Sequence, residues 1–156
     1  MDTKRFEEVT RMTPSDFDKL VSIIAEIADK QATPLFKHRK SNEELSKILW
    51  QMWWHEELHV FADADTKEWV GVVAFDVVAL WWIEGIVLVE DMLVSLSKRP
   101  TGFGSFAVSY LEKEAKNRGC SLILSGSSMV QDSQIVQNMY KKHGFVVYGE
   151  SYLKEL

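Results

Sequence analysis

Arg99-Pro100-Thr101-Gly102-Phe103-Gly104 lies between a β-rich run and a helical run with an apolar stripe. A helix N-terminus leaves N–H groups unpaired and carries partial positive charge, and glycine lets a ligand approach the backbone. Lys98 and Arg99 add formal charge at the mouth of this loop, so a diphosphate would suit it. Glycine loops also end strands for purely structural reasons, and the segment alone supports either reading. Glu90 and Asp91 precede the loop on the β-rich run. Neighbours on a strand face opposite sides, so the two carboxylates cannot enter one pocket. His55-Glu56-Glu57-Leu58-His59 has the spacing of a zinc-protease helix, whose two histidines share one face. The helical stripe fades after Trp53 and a β-like run begins near His59, so the match reads as coincidence. Asp63-Ala64-Asp65 lacks the glycine and distal glutamate of a calcium loop. No metal is expected.

The elements that would position these residues follow from periodicity. Phe6 to Met12 reads as a first strand. Thr13 caps a helix with Pro14 at its first position, and Phe17, Leu20, Val21, Ile24, Ile27 and Ala28 form its apolar stripe. Residues 31–40 read as a loop whose Lys37–Lys40 cluster is solvated. Ser41 and Glu44 make a capping box for a second helix, striped by Leu45, Ile48, Leu49 and Met52. His59 to Ala64 and Trp69 to Ala79 read as a hairpin, and Ile86 to Ser97 as a further strand. A helix runs from about Ser105 to Arg118, with Glu112 and Lys116 spaced to pair and Gly119 as the stop. Ser121 to Ser125 is a short strand. Asp132 or Ser133 caps a last helix that ends at Gly144, and Phe145 to Tyr148 and Tyr152 to Leu156 read as two closing strands.

The expected order is β-α-α-β-β-β-α-β-α-β-β. That is an α+β fold with a mixed, mostly antiparallel central sheet of six to seven strands and about four helices. With 156 residues, 46% hydrophobic and 26% charged, the chain suits a single domain over 1–156 and excludes disordered and low-complexity classes. One cysteine, Cys120, excludes a disulfide framework and suits a reducing cytoplasm. The net charge of −5 gives the whole chain no reason to seek nucleic acid. Asp76, Glu84, Glu90 and Asp91 interrupt the most apolar stretch, so no membrane span is expected. No Lys or Arg lies between Lys67 and Lys98, while the region from residue 97 onward is net basic. The six tryptophans read as core or dimer contacts, and a homodimer is compatible with them. Trp81 and Trp82 sit in the acidic stretch, where a cation–π contact to an amine is conceivable.

The run from Glu90 to Gly104 resembles the acetyl-coenzyme A signature of the GNAT superfamily of N-acetyltransferases: an acidic-hydrophobic strand ending in valine, then Arg/Gln-x-x-Gly-x-Gly/Ala, then a helix. Arg99, Gly102 and Gly104 fall on its defining positions. Tyr140-Lys141-Lys142-His143-Gly144-Phe145 resembles the family's second signature, a helix ending in Tyr-x-x-x-Gly-Phe. The two stand in the family's order and separation. Pro100 and Thr101 depart from the usual small and basic residues, and Pro100 has no N–H to offer.

The resemblance implies a GNAT domain that binds acetyl-coenzyme A and transfers acetyl to a primary amine, either a small cationic amine or a protein lysine or N-terminus. It implies that Val94 and Ser95 hold pantetheine and the thioester carbonyl. The amides of Arg99, Pro100, Thr101, Gly102, Phe103, Gly104 and Ser105, proline excepted, would hold the pyrophosphate. Tyr140 would be the general acid toward the leaving thiolate, and Glu90 the base for the amine. Two rivals are a GNAT-fold binding or assembly module that has lost turnover and, remotely, a zinc hydrolase through His55 and His59.

Overall fold

The computed structural model describes residues 5–31, 33–126, 133–149 and 152–156. Thr13 opens the first helix, α1 (Pro14–Asp29). Its hydroxyl accepts from the Asp16 N–H while the Asp16 carboxylate accepts from the Thr13 N–H, a complete capping box. Within the expected loop, Pro34–His38 forms a 3-10 turn. Arg39 leaves the presumed solvated cluster to grip Asp29 at the end of α1, Nε to Oδ1 at 2.8 Å and Nη2 to Oδ2 at 3.1 Å. α2 (Asn42–Trp54) follows, capped by the Ser41 hydroxyl. Its Glu44 side chain bonds that hydroxyl rather than closing the box on the Ser41 N–H.

The strands are β1 (Phe6–Glu8), β2 (Leu58–Asp63), β3 (Trp69–Val78), β4 (Val87–Ser95) and β5 (Leu122–Leu124), with α3 (Phe103–Asn117) between the last two and α4 (Ser133–Lys142) at the end. They form one sheet in the order β1-β2-β3-β4-β5, antiparallel except that β4 and β5 run parallel. The fold is therefore α+β with a mostly antiparallel sheet, as expected. β1 is shorter than the run from Phe6 to Met12 suggested: its register with β2 ends at Glu8↔Phe61, beyond which the Val9 N–H still donates to the Val60 carbonyl at 2.8 Å. Two closing strands were expected, and residues 145–149 and 152–156 form none. Val146, Val147 and Tyr148 are exposed there, so their β-prone side chains have no sheet surface to cover. The cap expected at Asp132 lies outside the described residues.

Both faces of the sheet are covered. Period-two alternation sends Val72 and Ala74 toward α1 and α2, joining Phe17, Leu20 and Ile24. Val73 and Phe75 point the other way, to Phe103, Ala107 and Leu111 on α3. The ion pair expected between Glu112 and Lys116 is replaced. Glu112 lies 3.9 Å from His143 just past α4, and Arg118 takes Glu114 at 3.2 Å. Among the described residues no helix is long and apolar enough to cross a membrane.

Candidate active site

β4 is paired with β5 only at Val87, Val89 and the residue between them. From Glu90 to Ser95 its β5 side has no strand partner among the described residues, so an edge of hydrogen-bonding groups lies open inside the molecule. Opposite β3 the register passes from Phe75↔Glu90 to Ala74↔Met92, which leaves Asp91 as the extra residue of a β-bulge. The expected parting of Glu90 and Asp91 is matched by their partners. Glu90 meets Tyr140 of α4, whereas Asp91 meets Asp76 of β3.

The open edge leads into the glycine loop. Gly102 caps α3 with φ +80°, a left-handed conformation that favours glycine. Phe103, one of the expected ligand contacts, buries its side chain instead. Its ring lies against Gly71 of β3, where an added Cβ would meet it at 1.9 Å. Its N–H donates to Thr101 Oγ1 at 3.2 Å, and the Arg99 N–H donates to Ser97 Oγ at 3.2 Å. Two of the expected phosphate donors are thus engaged within the loop, and Pro100 has none. Gly104 and Ser105 belong to the first helical turn, whose N–H groups find no intrahelical carbonyl. Lys98 and Arg99 are exposed beside it. Val94 is buried and Ser95 exposed at the end of the open edge. A strand edge, a left-handed glycine and free amides fit an extended chain ending in phosphates.

Tyr140 reaches this edge because of how α4 ends. Gly144 takes φ +85° and its N–H donates to the Lys141 carbonyl, while the Phe145 N–H donates to the Tyr140 carbonyl at 3.0 Å. These two bonds make a Schellman cap, and its usual apolar contact is the Tyr140–Phe145 ring pair at 5.2 Å. The spacing Tyr-x-x-x-Gly-Phe is therefore the spacing of a helix stop that clamps the tyrosine. The phenol donates to Glu90 Oε2 at 2.5 Å, and the Gly126 carbonyl oxygen lies 3.3 Å away. Burial raises the Tyr140 phenol well above its ordinary value, and the Glu90 charge and hydrogen bond add to this. Burial also raises the Glu90 carboxyl, with the Tyr140 bond and the nearby Ser125 hydroxyl opposing it.

Ser125, just past β5, was read only as the end of a strand. Its hydroxyl lies close enough to favour ionisation of both Glu90 and Tyr140. Yet its Oγ is buried and closes no well-formed hydrogen bond among the described residues. A lone serine after a short apolar strand carries no signal in sequence. On the α1 and α2 side, Asp91 is raised to about 7 by desolvation, by its hydrogen bond to Asp76, and by the charges of Asp76, Glu57 and Glu90. Glu57 is raised by burial and by the same Asp76.

His55 and His59 do not share a helix. α2 stops at Trp54, His55 caps it, and Glu56 takes φ +57°. His59 then enters β2 buried, with Nδ1 2.6 Å from Glu8 Oε1 and Nε2 3.0 Å from the Glu56 carbonyl oxygen. The helix that the zinc reading needs is broken, and this overturns it.

The model of the acetyltransferase (GNAT) family matches residues 23–145. The chain belongs to this family. Solved structures agree on the fold. A predicted acetyltransferase of Clostridium acetobutylicum, crystallised with acetyl-CoA, superposes with a TM-score of 0.68 at 17% identity, covering 96% of this chain and 94% of its own. Glucosamine-6-phosphate N-acetyltransferase of Arabidopsis thaliana gives 0.65 at 15%, covering 96% and 97%. Ribosomal-protein-alanine N-acetyltransferase of Brucella melitensis biovar Abortus 2308 gives 0.64 at 13%, covering 97% and 99%. Within this GNAT domain, the edge of β4, the start of α3 and the end of α4 converge around Glu90 and Tyr140.

Proposed function

We propose that this GNAT chain is an acetyl-CoA-dependent N-acetyltransferase that moves acetyl directly to a primary amine. The observation that carries the reading is the Tyr140–Glu90 hydrogen bond of 2.5 Å on the unpaired edge of β4. The backbone of Val94 and Ser95 holds the pantetheine arm and thioester carbonyl, where a fixed N–H stabilises developing negative charge. Gly102, Gly104 and Ser105 supply the main pyrophosphate amides, because those of Arg99 and Phe103 are internally bonded. The Arg99 and Lys98 side chains add charge at the rim. Acetyl-CoA, when bound, supplies an activated acyl group on a thiol leaving group.

Glu90 takes a proton from the acceptor, since an alkylammonium has no lone pair for attack. Tyr140 protonates the departing sulfur. Neither a serine nor a cysteine nucleophile is required when amine and thioester meet in one complex. The stretch between Lys67 and Lys98 holds Asp76, Glu84, Glu90 and Asp91 and no Lys or Arg, which favours a cationic acceptor. The acceptor is a small cationic amine or a protein amine.

The test is release of free thiol from acetyl-CoA across a panel of amines. Glu90→Gln should lower kcat most at neutral pH, and turnover unchanged across pH rejects the base role. The thinned set of loop amides favours a second reading, a binding module without turnover. Stabilisation by acetyl-CoA with no thiol release from any amine would select it.

A further inference from the structure

We propose that Glu90 and Tyr140 act as one proton relay, with Ser125 as its positioning residue, so that a proton taken from the amine is the one replaced on Tyr140 when the thiol leaves. The proposal rests on the acetyltransferase reading and adds the order and path of its proton transfers. A phenol has one hydrogen. In this structure that hydrogen goes to Glu90 Oε2 at 2.5 Å, with the Gly126 carbonyl a longer second acceptor at 3.3 Å, so neither acceptor of the Tyr140 hydrogen among the described residues is a leaving group. An isolated general acid would point its proton at the sulfur.

The pairing is resolved if Glu90 fills first. Glu90 takes one proton from the ammonium and becomes a neutral acid. Its O–H then donates to the Tyr140 oxygen, which turns the Tyr140 hydrogen free. The nitrogen lone pair forms the C–N bond, and the C–S bond breaks with its electron pair remaining on sulfur. Tyr140 gives its proton to that sulfur and receives the Glu90 proton in return. The second proton on nitrogen leaves to water, and Glu90 and Tyr140 end in their starting states.

Ser125 supports the exchange. Its Oγ is buried beside both exchanging oxygens, where it favours the ionised form of each. The groups facing Glu90 are Tyr140 from α4 and Ser125 from the end of β5, with Asp91 the nearest charge along β4.

The test pairs a spectroscopic and a kinetic measurement on the whole chain. In the free protein, the infrared C=O stretch of the Glu90 carboxyl is followed against pH, assigned by its loss in Glu90→Gln. In Tyr140→Phe the band should persist to higher pH than in wild type, because the bond that favours the carboxylate is gone. Ser125→Ala should move it the same way and lower kcat, and Ser125→Thr should restore both. An unmoved band in Ser125→Ala overturns the part assigned to that hydroxyl. An unmoved band in Tyr140→Phe, with wild-type turnover intact, overturns the relay alone.

For kcat, Glu90→Gln and Tyr140→Phe should each cost on the order of 100-fold. The double variant should be no slower than the slower single, as for residues acting as a unit. A double loss equal to the product of the two, on the order of 10,000-fold, overturns the relay. A wild-type chain that releases no thiol with any amine overturns the acetyltransferase reading, and the relay with it.

Discussion

Asp91 is a carboxyl placed where its charge is unwelcome. It is raised to about 7 in the folded chain against an ordinary value of 3.8, so between those limits the folded state holds a proton that the unfolded state has released. The unfolded state binds fewer protons there, and stability must fall as pH rises through this window. Asp91→Asn removes the charge and should raise the thermal midpoint at about pH 8, with the gain closing as pH falls toward about 2 to 3, below both values, where both states are protonated. One side of Asp91 is open to water, which screens part of the effect. A midpoint that responds identically at both pH values would show that Asp76 and Glu57 do not press on it. The Asp91 side chain has different partners from Tyr140, so the same substitution should spare kcat more than Glu90→Gln does.

Two glycines set where α3 begins and how α4 ends. Gly71 in β3 leaves room for the Phe103 ring, and an alanine there would set its Cβ 1.9 Å from a ring carbon. Because Phe103 is the first residue of α3, the clash should displace the helix start as well as the core. Gly71→Ala should cost about 1–3 kcal/mol in urea unfolding and weaken acetyl-CoA binding. Trimming the ring, as in Gly71→Ala with Phe103→Leu, should recover part of both. Gly144 sits at φ +85° with nothing within 4 Å of an added Cβ, so only its backbone is strained by substitution. Gly144→Ala should cost about 1 kcal/mol and, by loosening the cap that holds Tyr140, lower kcat without a matching rise in KM. Gly144→Asn should lose less on both counts, since asparagine tolerates the left-handed region better. Equal damage from Ala and Asn would reject backbone strain as the cause.

At the scale of the molecule, the acidic front and basic back meet across β4. Exposed Lys98 and Arg99 stand at the start of α3, and Glu57, Asp76 and Asp91 lie on the other face of the sheet. Acetyl-CoA at 100 times its Kd should stabilise the chain by about 2.7 kcal/mol. On the proposed reading the phosphates meet this exposed rim, so that Kd should rise as salt shortens the screening length below about 10 Å. A Kd indifferent to salt would mean that the phosphates sit away from Lys98 and Arg99.

The order of elements from Phe6 to Lys142 was readable because each carries its own periodicity and stop: Thr13 and Ser41 as caps, Gly119 and Gly144 as ends, alternation in Val72–Phe75. These are local interactions, and they act before any long-range contact forms. The glycine loop and the Tyr140 spacing were readable for the same reason, since both are helix-terminus chemistry. The closing strands were misjudged because β-prone residues make a strand only beside a partner edge, and residues 145–149 have none. Tertiary packing alone decided that β5 leaves β4 after three pairs, that Tyr140 donates to Glu90, that the Ser125 hydroxyl comes to lie beside both, and that the Phe103 and Arg99 amides turn inward. Each depends on groups tens of residues apart, whose distance no local pattern encodes.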